Sequence, residues 1–275
     1  MRLVTGANGL SVPTLKRVDI SHLSEKAWKQ QRQTLLETLD EAGFDPTEKF
    51  EKLGLSQTHA YEQFPIPSIE EFKGILAANP NLKGLNVTIP YKQAVMPLLD
   101  EIDLAAATIG AVNTIKIAPD GYTRGYNTDY WGFRTTVEFW DKFKNFGSLK
   151  ACVLGQGGAA KAIIVALEDM GFEVIKVSRQ ASDETVTYEA MPSLMEEIGL
   201  IVNTTPLGMF PKVDDKPPIP YDLLNKQHYL YDIVYNPLET AFLKAGLENG
   251  VGGIYTGLEM LHGQADKAWE IWQKN

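Results

Sequence analysis

From residue 149 onward, short apolar runs alternate with amphipathic or alanine-rich stretches. LKACVLG (149–155), FEVIKVS (172–178), LIVNTT (200–205), HYLYDIVY (228–235) and VGGIY (251–255) predict strands. GAAKAIIVALEDMG (158–171), closed by Gly171, and ETAFLKAGLENG (239–250), ending at Gly250, predict helices. Strands and helices in this alternation favour right-handed βαβ crossovers and a parallel sheet, hence an α/β protein.

The first half is patterned differently. AVNTIKIAPDGYTRGYN (111–127) predicts a hairpin, with Pro119, Asp120 and Gly121 supplying the turn. In GLNVTIPYK (84–92), Leu85, Val87 and Ile89 predict the buried face of a strand that also carries Asn86 and Thr88. Pro90 follows, and Lys92 stands at the mouth of a predicted helix. FDPTEKFEKLG (44–54) predicts a helix with Asp45 as N-cap, Pro46 in the first turn, Glu48 three residues on and Gly54 at the stop. EKAWKQQRQTLLETLDEAG (25–43) predicts an amphipathic helix, with Trp28, Leu35, Leu36 and Leu39 near one face. Internal repeats, low-complexity tracts and an evident linker are missing, which puts any domain border in a short loop or a helix.

Composition narrows the function classes. A chain of 275 residues has room for two domains. Apolar content of 44% and charged content of 22% are those of a soluble globular protein. No apolar run approaches the roughly 18 residues of a membrane span, and the N-terminus lacks the basic and apolar regions of a secretory signal. The net charge of −9 disfavours nucleic acid or an anionic membrane as main partner, while leaving room for a local basic pocket. The single cysteine, Cys152, excludes a disulfide framework, fits a reducing compartment and reads as a small buried strand residue. His22, His59, His228 and His262 show no metal-ligand spacing, so no metal is expected.

VLGQGGAAKA (153–162) places Gly155, Gly157 and Gly158 between a strand and a helix, with Ala159 next. In that context Gly155 permits a tight turn and Gly157 lets backbone N–H groups approach an anion. The helix N-terminus adds partial positive charge, which suits the pyrophosphate of a dinucleotide. The bland alternative is a plain strand-to-helix turn. NAD sites usually carry an acid at the end of the second strand, for the ribose 2′-hydroxyl. Here Ser178 and Arg179 stand in its place. A guanidinium suits a 2′-phosphate, so NADP is the expected cofactor, unless Arg179 is merely a solvated surface residue. Asn203, Thr204 and Thr205 follow a later strand, where they line a cofactor groove or simply build a turn with Pro206 and Gly208.

GYNTDYWGF (125–133) brings Asp129 to a helix start. Read alone, Lys92 is a surface residue or a proton handler, and Asp129 is a helix cap or the partner of Lys92. NVTIPYK, GAVNT, GYNTD, GQGGAAKA, NTTPLGM, DIVYNPLETAFL and GLEMLHGQA occur together and in order from about residue 47 to the C-terminus. In this combination the chain resembles the shikimate dehydrogenase family. The resemblance implies a two-domain α/β fold: a substrate domain with a mixed sheet (1–128 plus 257–275) and a Rossmann-like NADP-binding domain with a parallel sheet (129–256). It implies a cytoplasmic enzyme, monomeric or homodimeric, that reversibly reduces 3-dehydroshikimate to shikimate with NADPH, in aromatic amino-acid biosynthesis.

Carried onto this sequence, the family's catalytic pair falls on Lys92 and Asp129. Its substrate pocket falls on Asn86, Thr88, Asn113, Tyr235 and Gln264, with Asn127 at the hinge or the ligand. Amides and hydroxyls suit a polyhydroxylated ring because each can donate and accept. Hydride delivery to a ketone creates an alkoxide, which an ammonium stabilises and protonates. An unperturbed lysine, titrating near about 10.4, is a poor base at neutral pH, so the surroundings must matter in the oxidation direction.

One family feature is missing. A Ser-x-Ser motif that binds the substrate carboxylate is expected near Asp40 and Ala42, neither of which can serve. Ser21 and Ser24 lie farther upstream at a different spacing. The opening RLVTGANGLSV resembles instead the start of an epimerase-type nucleotide fold, but Val12 replaces the third glycine and no complete βαβ unit follows. Residues 1 to about 45 therefore read as divergent or replaced. Two rival readings remain: an NAD-dependent quinate/shikimate enzyme, and a catalytically silent ligand-binding or regulatory homologue.

Overall fold

The computed structural model of the protein describes residues 2–4, 51, 54–138 and 150–273. The helix expected over 25–43, most of that over 44–54, the nucleotide-like opening beyond residue 4, and Ser21, Ser24, Asp40 and Ala42 lie outside the described residues. Gly54, the expected helix stop, has φ 67° and donates its N–H to Glu51 O (3.0 Å).

Two sheets are built in succession. The first comprises β1 (Arg2–Val4), β2 (Gly84–Asn86), β3 (Glu101–Ile102), β4 (Thr114–Ile117) and β5 (Thr123–Tyr126), in the order β1-β2-β4-β5-β3. Its pairings are antiparallel except β3 with β5, so the sheet is mixed. β4 and β5 form the expected hairpin, and Gly121 takes φ 88° in its turn while Asp120 accepts from Tyr122 N (3.0 Å). Helices α1 (Phe72–Ala78) and α2 (Leu104–Ile109) accompany this sheet, and Phe72, Leu85, Val87, Val95, Ala106 and Ile115 form its core.

Two expectations about this half change. Ile89 is 78% exposed, not buried, because β2 stops at Asn86 and only Leu85 and Val87 reach the core. No α-helix starts at Lys92. The chain turns instead, with Tyr91 N bonded to Thr88 O and Val95 N to Tyr91 O, and then forms a short 3-10 helix over Met96–Leu98.

Helix α3 (Thr128–Glu138) leads toward the second sheet. There β6 (Lys150–Leu154), helix α4 (Gly158–Asp169), β7 (Val174–Ser178), β8 (Val186–Thr187), β9 (Ile198–Asn203), β10 (Tyr229–Asp232), helix α5 (Ala241–Glu248) and β11 (Gly253–Thr256) follow in order. All strand pairs in this sheet are parallel, in the order β11-β10-β9-β6-β7-β8, the doubly wound Rossmann arrangement. Alternation along β6 explains the two layers. Ala151 and Val153 join α3 and α4 on one face, and Cys152 and Leu154 join Met191, Ile201, Phe242 and Leu243 on the other. Burial pushes the Cys152 thiol upward, consistent with an inert core residue. The strand expected over 228–235 ends at Asp232, whose carboxylate bonds the Val234 N–H and turns the chain.

The last helix, α6 (Leu258–Gln273), ties the halves together. It packs closely on α3, where a Cβ on Gly132 would meet Met260 O at 2.5 Å. At its far end Trp272 Nε1 donates to Ile115 O on β4 (2.9 Å). The order in which strands are added to the parallel sheet reverses between β6 and β9, so the loops leaving their carboxyl ends open onto one crevice.

Candidate active site

The start of α3 separates the roles of Asn127 and Asp129. Asn127 caps the helix: its Oδ1 accepts from Tyr130 N (3.2 Å), and its Nδ2 donates to Ala111 O (2.9 Å). Asp129 is thereby free of the capping duty. Its Oδ2 lies 2.5 Å from Lys92 Nζ, with the two side chains only 10% and 14% exposed. A short, sheltered contact of this kind is a strong charge-assisted hydrogen bond, and the N-terminal turn of α3 favours the carboxylate. Lys92 is itself fixed by its carbonyl, which accepts from Val112 N (2.7 Å).

Beside this pair lies a connected polar network. Tyr61 OH donates to Asn86 Oδ1 (3.0 Å), and Asn86 Nδ2 donates to Thr114 Oγ1 (3.3 Å). Thr114 Oγ1 donates to Asn113 Oδ1 (3.0 Å), which also accepts from Thr128 N (2.7 Å). Asn113 Nδ2 donates to Thr128 Oγ1 (3.1 Å), and that hydroxyl lies 3.4 Å from Gln264 Oε1 on α6. Asn86, Asn113 and Gln264 are thus brought together from β2, the start of β4 and α6. Asn113 is buried, and the bonds just described engage its Oδ1 and one Nδ2 hydrogen. Thr88 is exposed on the turn before Lys92, and Tyr235 is 43% exposed on the loop after β10. Neither joins the network.

Reading the sequence missed Tyr61, Thr114 and Thr128. The two threonines stand inside quoted motifs, GAVNT and GYNTD. Tyr61 lies in no motif, and only the fold brings it to Asn86.

The glycine-rich turn occupies the crevice. Gly155 has φ 98°, and an added Cβ would sit 3.0 Å from both Thr204 Oγ1 and Thr205 Cγ2. Gly157 precedes α4 without any capping side chain, and an added Cβ there would meet nothing within 4 Å. The N–H groups of Gly158 and Ala159 open the helix beside that free space. This cradle fits the phosphates of a dinucleotide. Ser178 ends β7, and Arg179 beyond it is exposed, with no ion-pair partner among the described residues. Burial raises the Tyr188 phenol, and the nearby Arg179 opposes that rise.

One expected cofactor contact is corrected. Asn203 is fully buried and its amide is committed within the protein: Nδ2 to Asp232 Oδ1 (3.0 Å), Oδ1 from Thr205 N (3.0 Å) and Thr205 Oγ1 (2.6 Å). These bonds shape the loop that follows β9. Thr204 and Thr205 remain partly accessible beside Gly155, with Thr204 Oγ1 donating to Leu154 O (2.6 Å).

Among the described residues no group of three or more His, Cys, Asp or Glu side chains is gathered as metal ligands would be. No helix among them is long and apolar enough to cross a membrane.

Comparison with known proteins agrees with this fold. A family model described as the shikimate dehydrogenase substrate binding domain matches residues 47–115. The NADP(+) shikimate dehydrogenase of Clostridium beijerinckii is 48% identical over 201 residues, 70% of this chain and 73% of the relative. A solved shikimate dehydrogenase in complex with NADP+ superposes with TM-score 0.71 at 30% identity, over 83% of this chain and 87% of the other. A quinate dehydrogenase from Corynebacterium glutamicum in complex with NAD gives TM-score 0.66 at 30% identity, over 76% and 80% of the two chains.

Proposed function

This chain belongs to the shikimate dehydrogenase family, and on that premise we propose that it is an NADP-dependent shikimate dehydrogenase. It reversibly reduces 3-dehydroshikimate to shikimate for aromatic amino-acid biosynthesis in the cytoplasm. The observation that carries the proposal is the sheltered 2.5 Å contact between Lys92 and Asp129, next to the amide network and against the glycine-rich turn.

Two domains are assigned accordingly. Residues 1–128 with 257–275 bind the substrate, and residues 129–256 bind the dinucleotide. Gly155, Gly157, Gly158 and Ala159 hold the pyrophosphate, Thr204 and Thr205 line the groove, and Ser178 and Arg179 hold the 2′-phosphate. When bound, NADP exchanges a hydride with the ring carbon that bears the reacting oxygen.

The chain's own residues handle the proton and the orientation. In reduction, the Lys92 ammonium donates a hydrogen bond to the ketone oxygen and gives up its proton as negative charge develops there. In oxidation, neutral Lys92 takes the hydroxyl proton. Asp129 holds the amine in place through their hydrogen bond and stabilises its charged form. Asn86, Thr88, Asn113 and Gln264 bind ring hydroxyls, and Tyr235 approaches from the dinucleotide side. Tyr61 and Thr114 hold the Asn86 amide in one orientation, so it presents a fixed face to the ring.

The test is absorbance at the reduced-nicotinamide band with purified protein, shikimate or quinate, and each cofactor in turn. NADP-dependent oxidation of shikimate is expected. A stronger response with quinate and NAD would replace this reading by the quinate one. No oxidation under any combination would favour a silent homologue.

A further inference from the structure

Asp232 takes no part in the chemistry above, and what surrounds it bears on the proposed cofactor and substrate sites. It closes β10, in register with Asn203 on β9 and Thr256 on β11. The residue is fully buried. Its Oδ1 accepts from Asn203 Nδ2 (3.0 Å) and Val234 N (3.0 Å), and its Oδ2 accepts from Thr240 Oγ1 (2.6 Å). Among the described residues no cation pairs with it. Burial raises its pKa to about 7, against the effect of all three donors.

Each donor leads to one wall of the crevice. Because Asp232 takes the amide nitrogen of Asn203, the amide oxygen faces the other way and holds Thr205 by its N–H and hydroxyl. Thr204 and Thr205 then stand against Gly155 at the glycine-rich turn. Val234 immediately precedes Tyr235. Thr240 caps α5 by accepting from Leu243 N (3.4 Å), and Gly208 packs on it, 3.4 Å from an added Cβ to Thr240 Cβ. Phe210 N donates to Asn236 O (3.1 Å), which joins the two loops directly.

We infer that Asp232 is a positioning residue for both sides of the cleft: through Asn203 it sets the 204–208 loop beside the cofactor turn, and through Val234 and Thr240 it sets the 233–240 loop that carries Tyr235. The inference rests on the functional reading above. A carboxylate suits the place because every group reaching it donates, and its two oxygens accept them all. Asparagine has the same shape but only one acceptor oxygen. It leaves either the Asn203 amide or the Thr240 hydroxyl proton without its acceptor.

The experiment measures NADPH binding by nicotinamide fluorescence, together with shikimate kinetics, for the full chain and for Asp232→Asn. We expect the NADPH dissociation constant and the shikimate KM each to rise about tenfold while kcat stays within about twofold. Thr240→Val should reproduce the effect and Thr240→Ser should restore wild-type constants, which keeps the test decisive if Asp232→Asn does not fold. Phe72→Leu, in the core of the first sheet, controls for simple destabilisation and should alter neither constant. Wild-type NADPH binding in Asp232→Asn and Thr240→Val, or a loss confined to kcat, overturns the inference alone. Failure of the unmodified protein to bind NADPH overturns the functional reading and this inference with it.

Discussion

The stem of Lys92 lies against Gly158: a Cβ added at residue 158 would come 3.2 Å from Lys92 Cδ and 3.4 Å from its Cβ. The lysine that meets Asp129 thus rests on the same turn that is proposed to hold the cofactor phosphates. Glycine at 158 serves close approach here, since its backbone is not in the left-handed region.

A branched side chain at that point must displace the lysine stem. Gly158→Val is expected to lower kcat by about tenfold or more at saturating substrates, because small misplacements of a reacting group are costly. Steady-state kinetics with both substrates saturated checks this, and an unchanged kcat would separate the two residues functionally.

Arg179 stands exposed at the end of β7 without an ion-pair partner among the described residues. Arg179→Ala should reduce kcat/KM for NADP by about ten- to a hundredfold, the worth of charge-assisted hydrogen bonds to a phosphate, and leave the value for NAD nearly unchanged. Equal losses with both cofactors would show that Arg179 does not read the 2′-phosphate.

Gly155 combines φ 98° with Thr204 and Thr205 at 3.0 Å from an added Cβ. Gly155→Ala should destabilise the fold by about 1–3 kcal/mol, from backbone strain and displaced threonines together. Chemical denaturation measures the loss, and NADPH affinity should weaken in parallel.

Asp232 makes stability depend on pH in an uncommon direction. Its folded pKa, about 7, exceeds the ordinary carboxylate value, so the folded state holds an extra proton between those two limits. Its contribution is fully present below the unfolded pKa and is lost as pH rises through about 7. Relative to Asp232→Asn, the wild-type protein should lose stability with rising pH over that window, with a slope approaching about 1.4 kcal/mol per pH unit. Urea titrations of both proteins between pH 4 and pH 8 measure the difference; a flat difference would mean Asp232 stays ionised throughout.

The parallel sheet was legible, apart from the two-residue β8, because its strands are short apolar runs, and Gly171 and Gly250 do take positive φ at the helix ends. Ile89 misled because alternation continues past Asn86 in sequence, while in space the strand has already left its partner. Lys92 was misplaced on a helix for a related reason: Pro90 marks a break equally well before a helix or before a run of turns. For the site, motifs brought Lys92 and Asp129 to attention but could not distinguish a helix cap from a partner. That distinction needed Asn127 to be seen as the cap. Asn203 shows the opposite limit, since a polar residue at a strand end reads as a ligand until its burial and its bond to Asp232 are known.

Single-turnover kinetics on Lys92→Ala, alongside its NADPH affinity, tests the central assignment most directly. Loss of the Lys92 proton donor should cut the chemical step by about a hundredfold to ten-thousandfold while NADPH still binds. Hydride transfer at the wild-type rate in Lys92→Ala would contradict the role given to the Lys92–Asp129 pair.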